Sequence, residues 1–239
     1  MTPYDIKAGT ELRKWQKQMQ RKPSLLNRMS KGMQNKINTM IPEKVHVAIT
    51  TTIKQMVKAV LFGSKITTDA PRTEGSLEVR EAVVEEKIKF YRKAAAIEGG
   101  VTGAGGILMG LADFPLLLGI KLKMLFDIAS VYGFDVRDYK ERIYLLYIFQ
   151  LAFSSQEQRR KVYSQLETWY KQNQELPEDI NQFDWRNFQQ EYRDYIDIAK
   201  MAQLIPIIGA PVGIVVNYQL IKKLGYTAMN AYRMRWITA

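Results

Sequence analysis

The chain has 239 residues, of which 46% are hydrophobic and 25% are charged, the composition of an ordinary globular protein. This length accommodates one domain whose core needs no disulfide or structural metal. Cysteine is absent and there is one histidine, so the usual zinc sites and cysteine nucleophiles are excluded. That histidine, His46, is interpreted as an ordinary structural or surface residue. We expect no metal and no cofactor. The first residues contain no apolar run of the kind found in secretory signals, which favours a cytoplasmic location.

The net charge of +11 lies mostly in residues 1–40. This arm holds nine Lys or Arg and two acids, whereas the rest of the chain holds 26 Lys or Arg and 22 acids. Such an arm is typical of segments that bind phospholipid headgroups or nucleic acid. We predict an anionic membrane surface as the partner and expect no nucleic acid, because no nucleic-acid recognition motif is present.

The arm is predicted to form two basic amphipathic helices, separated by a break at Pro23. Leu12, Trp15 and Met19 recur at spacings of three and four residues, and the same spacing continues over 26–40. Lys and Arg fill the other faces, a pattern typical of helices that lie on membrane surfaces, although a solvated helix face is the alternative. The candidate membrane-binding residues of the arm are Arg13, Lys14, Trp15, Lys17, Arg21 and Lys22.

The rest of the chain is also predicted to be helical, because no segment alternates apolar and polar residues with period two. A loop is expected at 64–76, and Gly133 is expected to end a helix. The fold class is therefore all-α, a single multi-helix bundle over residues 1–239. Helices are predicted at 43–61, 77–97, 115–132, 135–153, 156–174, 188–204 and 218–236. The helix at 77–97 leads into the first apolar stretch, in which a helix is predicted to end near residue 112.

Two long apolar stretches, 99–120 and 201–221, interrupt this pattern with glycine and proline. Each could span a bilayer by length, but the breaks favour two apolar helical hairpins that pack inside the protein or dip into a membrane surface. The first lacks the spacing of a phosphate-binding loop. Lysines near the ends, where they could reach headgroups, are Lys121, Lys123, Lys222 and Lys223. Glycines spaced for close helix packing, with a loop as the alternative, are Gly99, Gly103, Gly106, Gly110, Gly209 and Gly213.

Three polar residues in or beside these stretches are candidate functional groups. Asp113 precedes Phe114-Pro115 and is predicted to cap a new helix there, with a buried functional carboxylate as the alternative. Glu98 is a similar candidate beside the first stretch. Asn217 is predicted to hydrogen-bond to another helix or to Asp113, or to be a single satisfied polar group.

Seven motifs, taken together and in this order, resemble the bacterial EcsC family. They are IPEKVH (41–46), LFGS (61–64), EGGVTGAGG (98–106), ADFP (112–115), IPIIGAPVG (205–213), VNY (216–218) and AMNAYRMR (228–235). The resemblance covers nearly the whole chain. It implies a helical protein linked to an ABC exporter, the Ecs system of Gram-positive bacteria, through a shared operon. It supplies no catalytic residues.

Three functions follow as hypotheses. The first is a non-enzymatic, peripherally membrane-associated protein that binds anionic lipid surfaces and is linked to the exporter. The second is a soluble helical module that docks on a transporter subunit or another protein. The third is a hydrolase with an acid site near Glu98 and Asp113, to which Asn217 would converge. No catalytic residue is assigned.

Overall fold

The computed structural model describes residues 2–21, 43–62, 68–103, 106–182, 184 and 210–238. These residues form eight α-helices and one short 3-10 helix without a β-strand, so the predicted all-α class is confirmed. The helices are α1 (Pro3–Gln20), α2 (Glu43–Phe62), α3 (Leu77–Gly103), α4 (Gly106–Tyr132), α5 (Tyr139–Phe153), α6 (Gln156–Glu167), α7 (Trp169–Glu175) and α8 (Ala210–Thr238), with the 3-10 turn at Ile180–Gln182.

Three long helices, α3, α4 and α8, pack against one another and form the centre of the bundle. Helices α3 and α8 are antiparallel, since Glu81 bonds Arg233 near one end while Arg92 stacks on Tyr218 near the other. The two helices are in close contact at Gly225, where an added Cβ would lie 2.6 Å from the Cγ1 atom of Ile88. The sequence analysis did not single out this glycine.

Helix α5 lies against this centre and is buried on almost all sides. From Ile143 to Phe153 its side chains are apolar or aromatic apart from Gln150, as expected for an element enclosed by its neighbours. Asp138 caps its N-terminus by accepting from the backbone N–H of Lys140. Gly133, which ends α4, has a φ of +94°, the left-handed geometry that glycine adopts without strain. The predicted helix end at Gly133 is therefore confirmed.

Several predicted boundaries are wrong. Helix α4 begins at Gly106 and continues through Asp113 and Pro115, so no new helix starts there and the predicted cap at Asp113 is wrong. The preference of a residue before proline for extended backbone is local, and tertiary packing of a long helix can override it. Within the first apolar stretch, α3 ends at Gly103 and α4 begins at Gly106.

Two further boundaries differ from prediction. Helix α8 is continuous from Ala210, which joins half of the second apolar stretch to the predicted last helix. Pro211 stands in the first turn of α8, where backbone N–H groups have no acceptor within the helix, so the missing N–H of proline costs no hydrogen bond. The predicted helix at 156–174 is divided at Thr168 into α6 and α7. The helices predicted at 26–40 and 188–204 lie outside the described residues.

Candidate functional site

Helix α1, the described part of the basic arm, has a strongly defined start. The side chain of Thr2 accepts from the backbone N–H of Asp5, and the Asp5 carboxylate accepts in return from the backbone N–H of Thr2. Pro3 stands at the first helical position, where its fixed φ suits a helix. This reciprocal cap satisfies N–H groups that would otherwise lack partners. The arm is therefore helical from its first residues.

The apolar side of α1 faces the protein. Ala8 and Leu12 are 1% and 6% exposed, respectively. The ring of Trp15 meets the ring of Tyr163 edge-on, with centroids 5.7 Å apart. Met19 packs on the same core. In this conformation the side of α1 that the sequence assigned to lipid insertion, Trp15 included, is instead used to dock α1 on α6 and α8.

A buried ion-pair network holds α1 across α3 and α8. Glu81 on α3 is fully buried and accepts two hydrogen bonds from Arg233 on α8, at 2.5 and 2.6 Å. Helix α1 joins this pair at two points, because the Tyr4 hydroxyl donates to Glu81 and Glu11 pairs with the second guanidinium nitrogen of Arg233. Tyr132 also donates to Glu81. The first helix is thus bonded to two of the three central helices.

The electrostatics of this network favour its ionised form. Burial and the adjacent Glu81 carboxylate raise the pKa of the Tyr4 hydroxyl, so it remains a donor at all physiological pH values. Burial alone lowers the pKa of Arg233, but its bonds to Glu81 outweigh burial and the net shift is upward. Arg233 therefore stays charged, and its buried guanidinium depends on Glu81 for solvation.

The opposite side of α1 presents cations to solvent. Arg13, Lys14, Lys17 and Arg21 are all exposed, and we call these four the basic face of α1. Lys7 is exposed as well and was not among the predicted residues. Within the described parts of the chain, none of the five forms an ion pair, and Arg13 only bonds Thr10 on its own helix. The described fold therefore leaves this positive charge without a carboxylate partner.

The predicted headgroup-binding lysines are placed in different environments. Lys222 and Lys223 are exposed on α8. Lys123 is ion-paired with Asp127 on its own helix. Lys121 is fully buried, so the expectation that it reaches the surface is not met in this structure. Lys22 lies outside the described residues.

Lys121 is enclosed between α4 and α8. Its ammonium lies 3.4 Å from the side-chain oxygen of Asn217 and 3.2 Å from the carbonyl oxygen of Leu117. Asn217 is itself fully buried, and its bond to Lys121 joins α8 to α4. Burial lowers the pKa of Lys121 to about 7, since an apolar interior disfavours the charged form. The structure thus brings together one predicted headgroup ligand and one predicted polar candidate, in the interior.

The other predicted polar and glycine residues can be located only by their backbone. Glu98 lies in α3 and Asp113 in α4, and their side chains are outside the described part of the structure. The same holds for the surroundings of the packing glycines: Gly99, Gly103, Gly106 and Gly110 lie in α3 or α4, Gly213 lies in α8, and Gly209 is outside the described residues.

A second buried ion pair was missed by the sequence analysis. Glu141 on α5 accepts from Arg235 on α8 and from the Tyr232 hydroxyl. The Arg235 guanidinium also lies 3.6 Å from the ring centroid of Phe134, a favourable cation–π geometry. Burial raises the pKa of Glu141, although Arg235 opposes this shift. The signal was available in the motif at 228–235, whose two arginines stand among apolar residues of α8.

A polar groove of about 510 Å³ lies where α1 ends against α6. Its carboxylate, Glu167, already accepts from Gln20 and Tyr163, both at 3.0 Å, so we assign the groove no ligand. Over the described ranges, no group of three or more acidic or histidine side chains is arranged to hold a metal ion. Nor does any helix in those ranges combine the length and apolar character needed to cross a bilayer.

These features define an all-α bundle whose first helix is bonded to the buried Glu81–Arg233 ion pair and carries an exposed row of cations. The model of the EcsC protein family matches residues 7–237, and the chain belongs to that family. It is 46% identical to Protein EcsC of Bacillus subtilis (strain 168) over 94% of this chain and 93% of that protein. It is 32% identical to the uncharacterized protein YdbA of the same organism over 67% of this chain and 59% of YdbA. No solved structure matches the chain.

Proposed function

We propose that this protein is a non-enzymatic, peripherally membrane-associated protein that binds anionic lipid surfaces and acts beside an ABC exporter. The link to an exporter depends on membership of the EcsC family and on the association of that family with the Ecs system. The lipid-binding part depends on one observation, the four exposed cations of the basic face of α1 that lack carboxylate partners in the described structure.

The arrangement of α1 suits electrostatic adsorption. Its apolar side is already used against the protein, so the affinity for a bilayer would come from charge and not from insertion of Trp15. Each Lys or Arg near an anionic surface contributes about 1 kcal/mol, so four cations supply about 4 kcal/mol at low salt. Arg13 and Lys17 are spaced four residues apart on α1, where like charges repel and weakly destabilise a helix, and Arg21 follows at the C-cap. Anionic headgroups would relieve this repulsion.

The test compares two charge-matched variants of the full chain in flotation with vesicles that contain phosphatidylglycerol. The first replaces the basic face of α1: Arg13→Gln, Lys14→Gln, Lys17→Gln and Arg21→Gln. The control removes four exposed cations elsewhere: Lys54→Gln, Lys58→Gln, Lys161→Gln and Lys171→Gln. We expect the first variant to lose most of its binding and the control to lose little. Equal loss in both variants would show that only net charge matters and would contradict the assignment to α1.

The second candidate function is a soluble module that docks on a transporter subunit. The same exposed cations favour it, because an acidic protein surface satisfies them as well as a bilayer does. Fractionation of cells with and without the exporter separates the two: a docking module leaves the membrane fraction when the exporter is deleted, whereas a lipid-binding protein stays. The hydrolase alternative gains no support from the described residues, since Asn217 is bonded to Lys121.

A further inference from the structure

The outer side of α3 carries a line of exposed apolar side chains. Val79, Phe90 and Ile97 are 48%, 65% and 70% exposed, respectively. Successive members are eleven and seven residues apart, which is about three and two helical turns, so all three lie along one line of the helix. From Val79 to Ile97 this line is about 27 Å long. We call it the outer line of α3.

The outer line faces away from the centre of the bundle. Ile88 lies about 160° around α3 from Phe90 and faces Gly225 on α8. Glu81, nine residues before Phe90 and so about 180° around the helix, is bonded by α1 and α8. Both helices therefore pack on the other side of α3, and a partner on the outer line leaves the basic face of α1 exposed.

Two exposed charges of opposite sign interrupt the outer line. Glu86 stands one turn before Phe90, and Lys93 stands one turn after it. Neither forms an ion pair with any residue that the structure describes. Of the neighbouring lysines, Lys87 is paired with a carboxylate on α4, and Lys89 lies at the edge of the line, about 100° from Phe90.

The order of these residues is complementary to itself. Along α3 the line is apolar at Val79, acidic at Glu86, aromatic at Phe90, basic at Lys93 and apolar at Ile97. The two apolar ends and the two charges are each centred within about two residues of Phe90. A second copy packed on the line in the opposite direction therefore brings Val79 to Ile97, Glu86 to Lys93 and the two Phe90 rings together. A parallel copy would bring each charge to its like.

We propose that the outer line of α3 is the interface of a homodimer, in which the α3 helices of two copies pack antiparallel about a two-fold axis near Phe90. Such an interface uses one patch twice, so each copy must supply both members of every pair. A second copy fits better than an unrelated partner, because this one face supplies the acid and the base that the other copy needs.

The apolar residues and the charges have different roles in this dimer. Burial of Phe90 and Ile97 favours association, since large apolar side chains dominate interface energetics. Exposed ion pairs contribute little to affinity, but they select the direction in which the helices pack. The inference does not depend on lipid binding.

The first arm of the test measures the oligomeric state of the full chain by sedimentation equilibrium. We expect a reversible equilibrium between monomer and dimer. Phe90→Ser should raise the dimer dissociation constant ~10-fold or more, as for a central aromatic residue of an interface. Tyr170→Ser on α7, where Tyr170 is 79% exposed, is the control and should leave that constant unchanged.

The second arm tests the direction of packing by charge reversal. Glu86→Lys alone and Lys93→Glu alone each place like charges together in both pairs, and each should weaken the dimer about three- to tenfold. The variant with both reversals restores the pairs with exchanged signs and should recover the affinity of the unmodified chain. An equimolar mixture of the two single variants should form heterodimers. Circular dichroism checks that all variants remain folded.

The third arm uses the absence of cysteine from the chain. Val79→Cys and Ile97→Cys in one chain place two thiols about 27 Å apart on α3, too far to be joined within that chain. A short thiol cross-linker should join two copies of this double variant. It should not join copies that carry Val79→Cys alone or Ile97→Cys alone, because antiparallel packing separates each position from its own copy.

An unmodified chain that stays monomeric up to about 100 μM overturns the inference. So does a dimer that tolerates Phe90→Ser, since its interface is elsewhere. A double charge reversal that fails to restore affinity, or single cysteines that cross-link as well as the pair, overturns the antiparallel arrangement and the inference with it. Vesicle binding by α1 is measured separately and stands or falls independently.

Discussion

The docking of α1 can be tested at Glu81, the carboxylate that connects four helices. Glu81→Gln keeps the side-chain volume but removes the charge that solvates Arg233, which is itself 3% exposed. Removing one partner of a buried ion pair typically costs 3–5 kcal/mol, because the other charge stays buried without compensation. Glu11 still reaches Arg233, so we expect the lower end, about 3 kcal/mol. For a chain of this length, that loss lowers Tm by about 6–12 °C.

Glu11→Gln is the matched control, since Glu11 pairs with the same arginine but is 46% exposed. Because the Glu11 side of this pair is solvated and Arg233 keeps its bonds to Glu81, we expect this variant to lose only about 1 kcal/mol. Urea denaturation followed by circular dichroism gives both free energies of unfolding, and limited proteolysis reports whether α1 detaches. If the two variants differ by less than about 0.5 kcal/mol, the reasoning that Glu81 and Arg233 form a buried and mutually dependent pair is refuted.

Three further predictions follow from the described core. Burial lowers the pKa of Lys121 to about 7, so above that pH the unfolded chain binds one more proton than the folded chain. The free energy of unfolding should therefore rise by up to about 1.4 kcal/mol per pH unit between pH 7 and 10. Urea denaturation measures this slope, and Lys121→Met should abolish it. Gly225→Ala should destabilise by about 1–3 kcal/mol, because its Cβ would lie 2.6 Å from the branched side chain of Ile88, and Ile88→Ala in the same chain should recover part of the loss. Trp15→Ala should lower the free energy of unfolding by about 1–2 kcal/mol through the lost contact with Tyr163, and the folded variant should bind vesicles as tightly as the unmodified chain. Unchanged stability with weaker vesicle binding would mean that Trp15 inserts into lipid.

The sequence predicts where the helices of this protein lie better than it predicts what each helix face contacts. Periodic apolar residues locate α2 within one residue at each end, and Gly133 identifies the end of α4. Periodicity cannot tell what an apolar face contacts, because a helix that docks on protein and one that lies on lipid need the same spacing. Trp15 shows this ambiguity, since it was expected to enter lipid and packs on Tyr163.

Buried charges were the main feature that the sequence analysis missed. Glu81 and Arg233 are 152 residues apart, and nothing in the local sequence of either indicates the other. Lys121 could have been recognised. It lies four residues after Leu117 and four before Leu125, within the apolar stripe of α4, so its position predicts burial, whereas its type predicts the surface. The prediction followed residue type.

Flotation of the unmodified chain with vesicles tests the central claim most directly. The lipid is either pure phosphatidylcholine or a mixture with phosphatidylglycerol, and the salt concentration is either about 0.05 M or about 0.5 M. Screening shortens the reach of exposed charges well below 10 Å at the higher concentration. We expect binding only to the anionic vesicles and only at low salt. Binding to neutral vesicles that persists at high salt, or no binding to either lipid, would contradict adsorption through the basic face of α1.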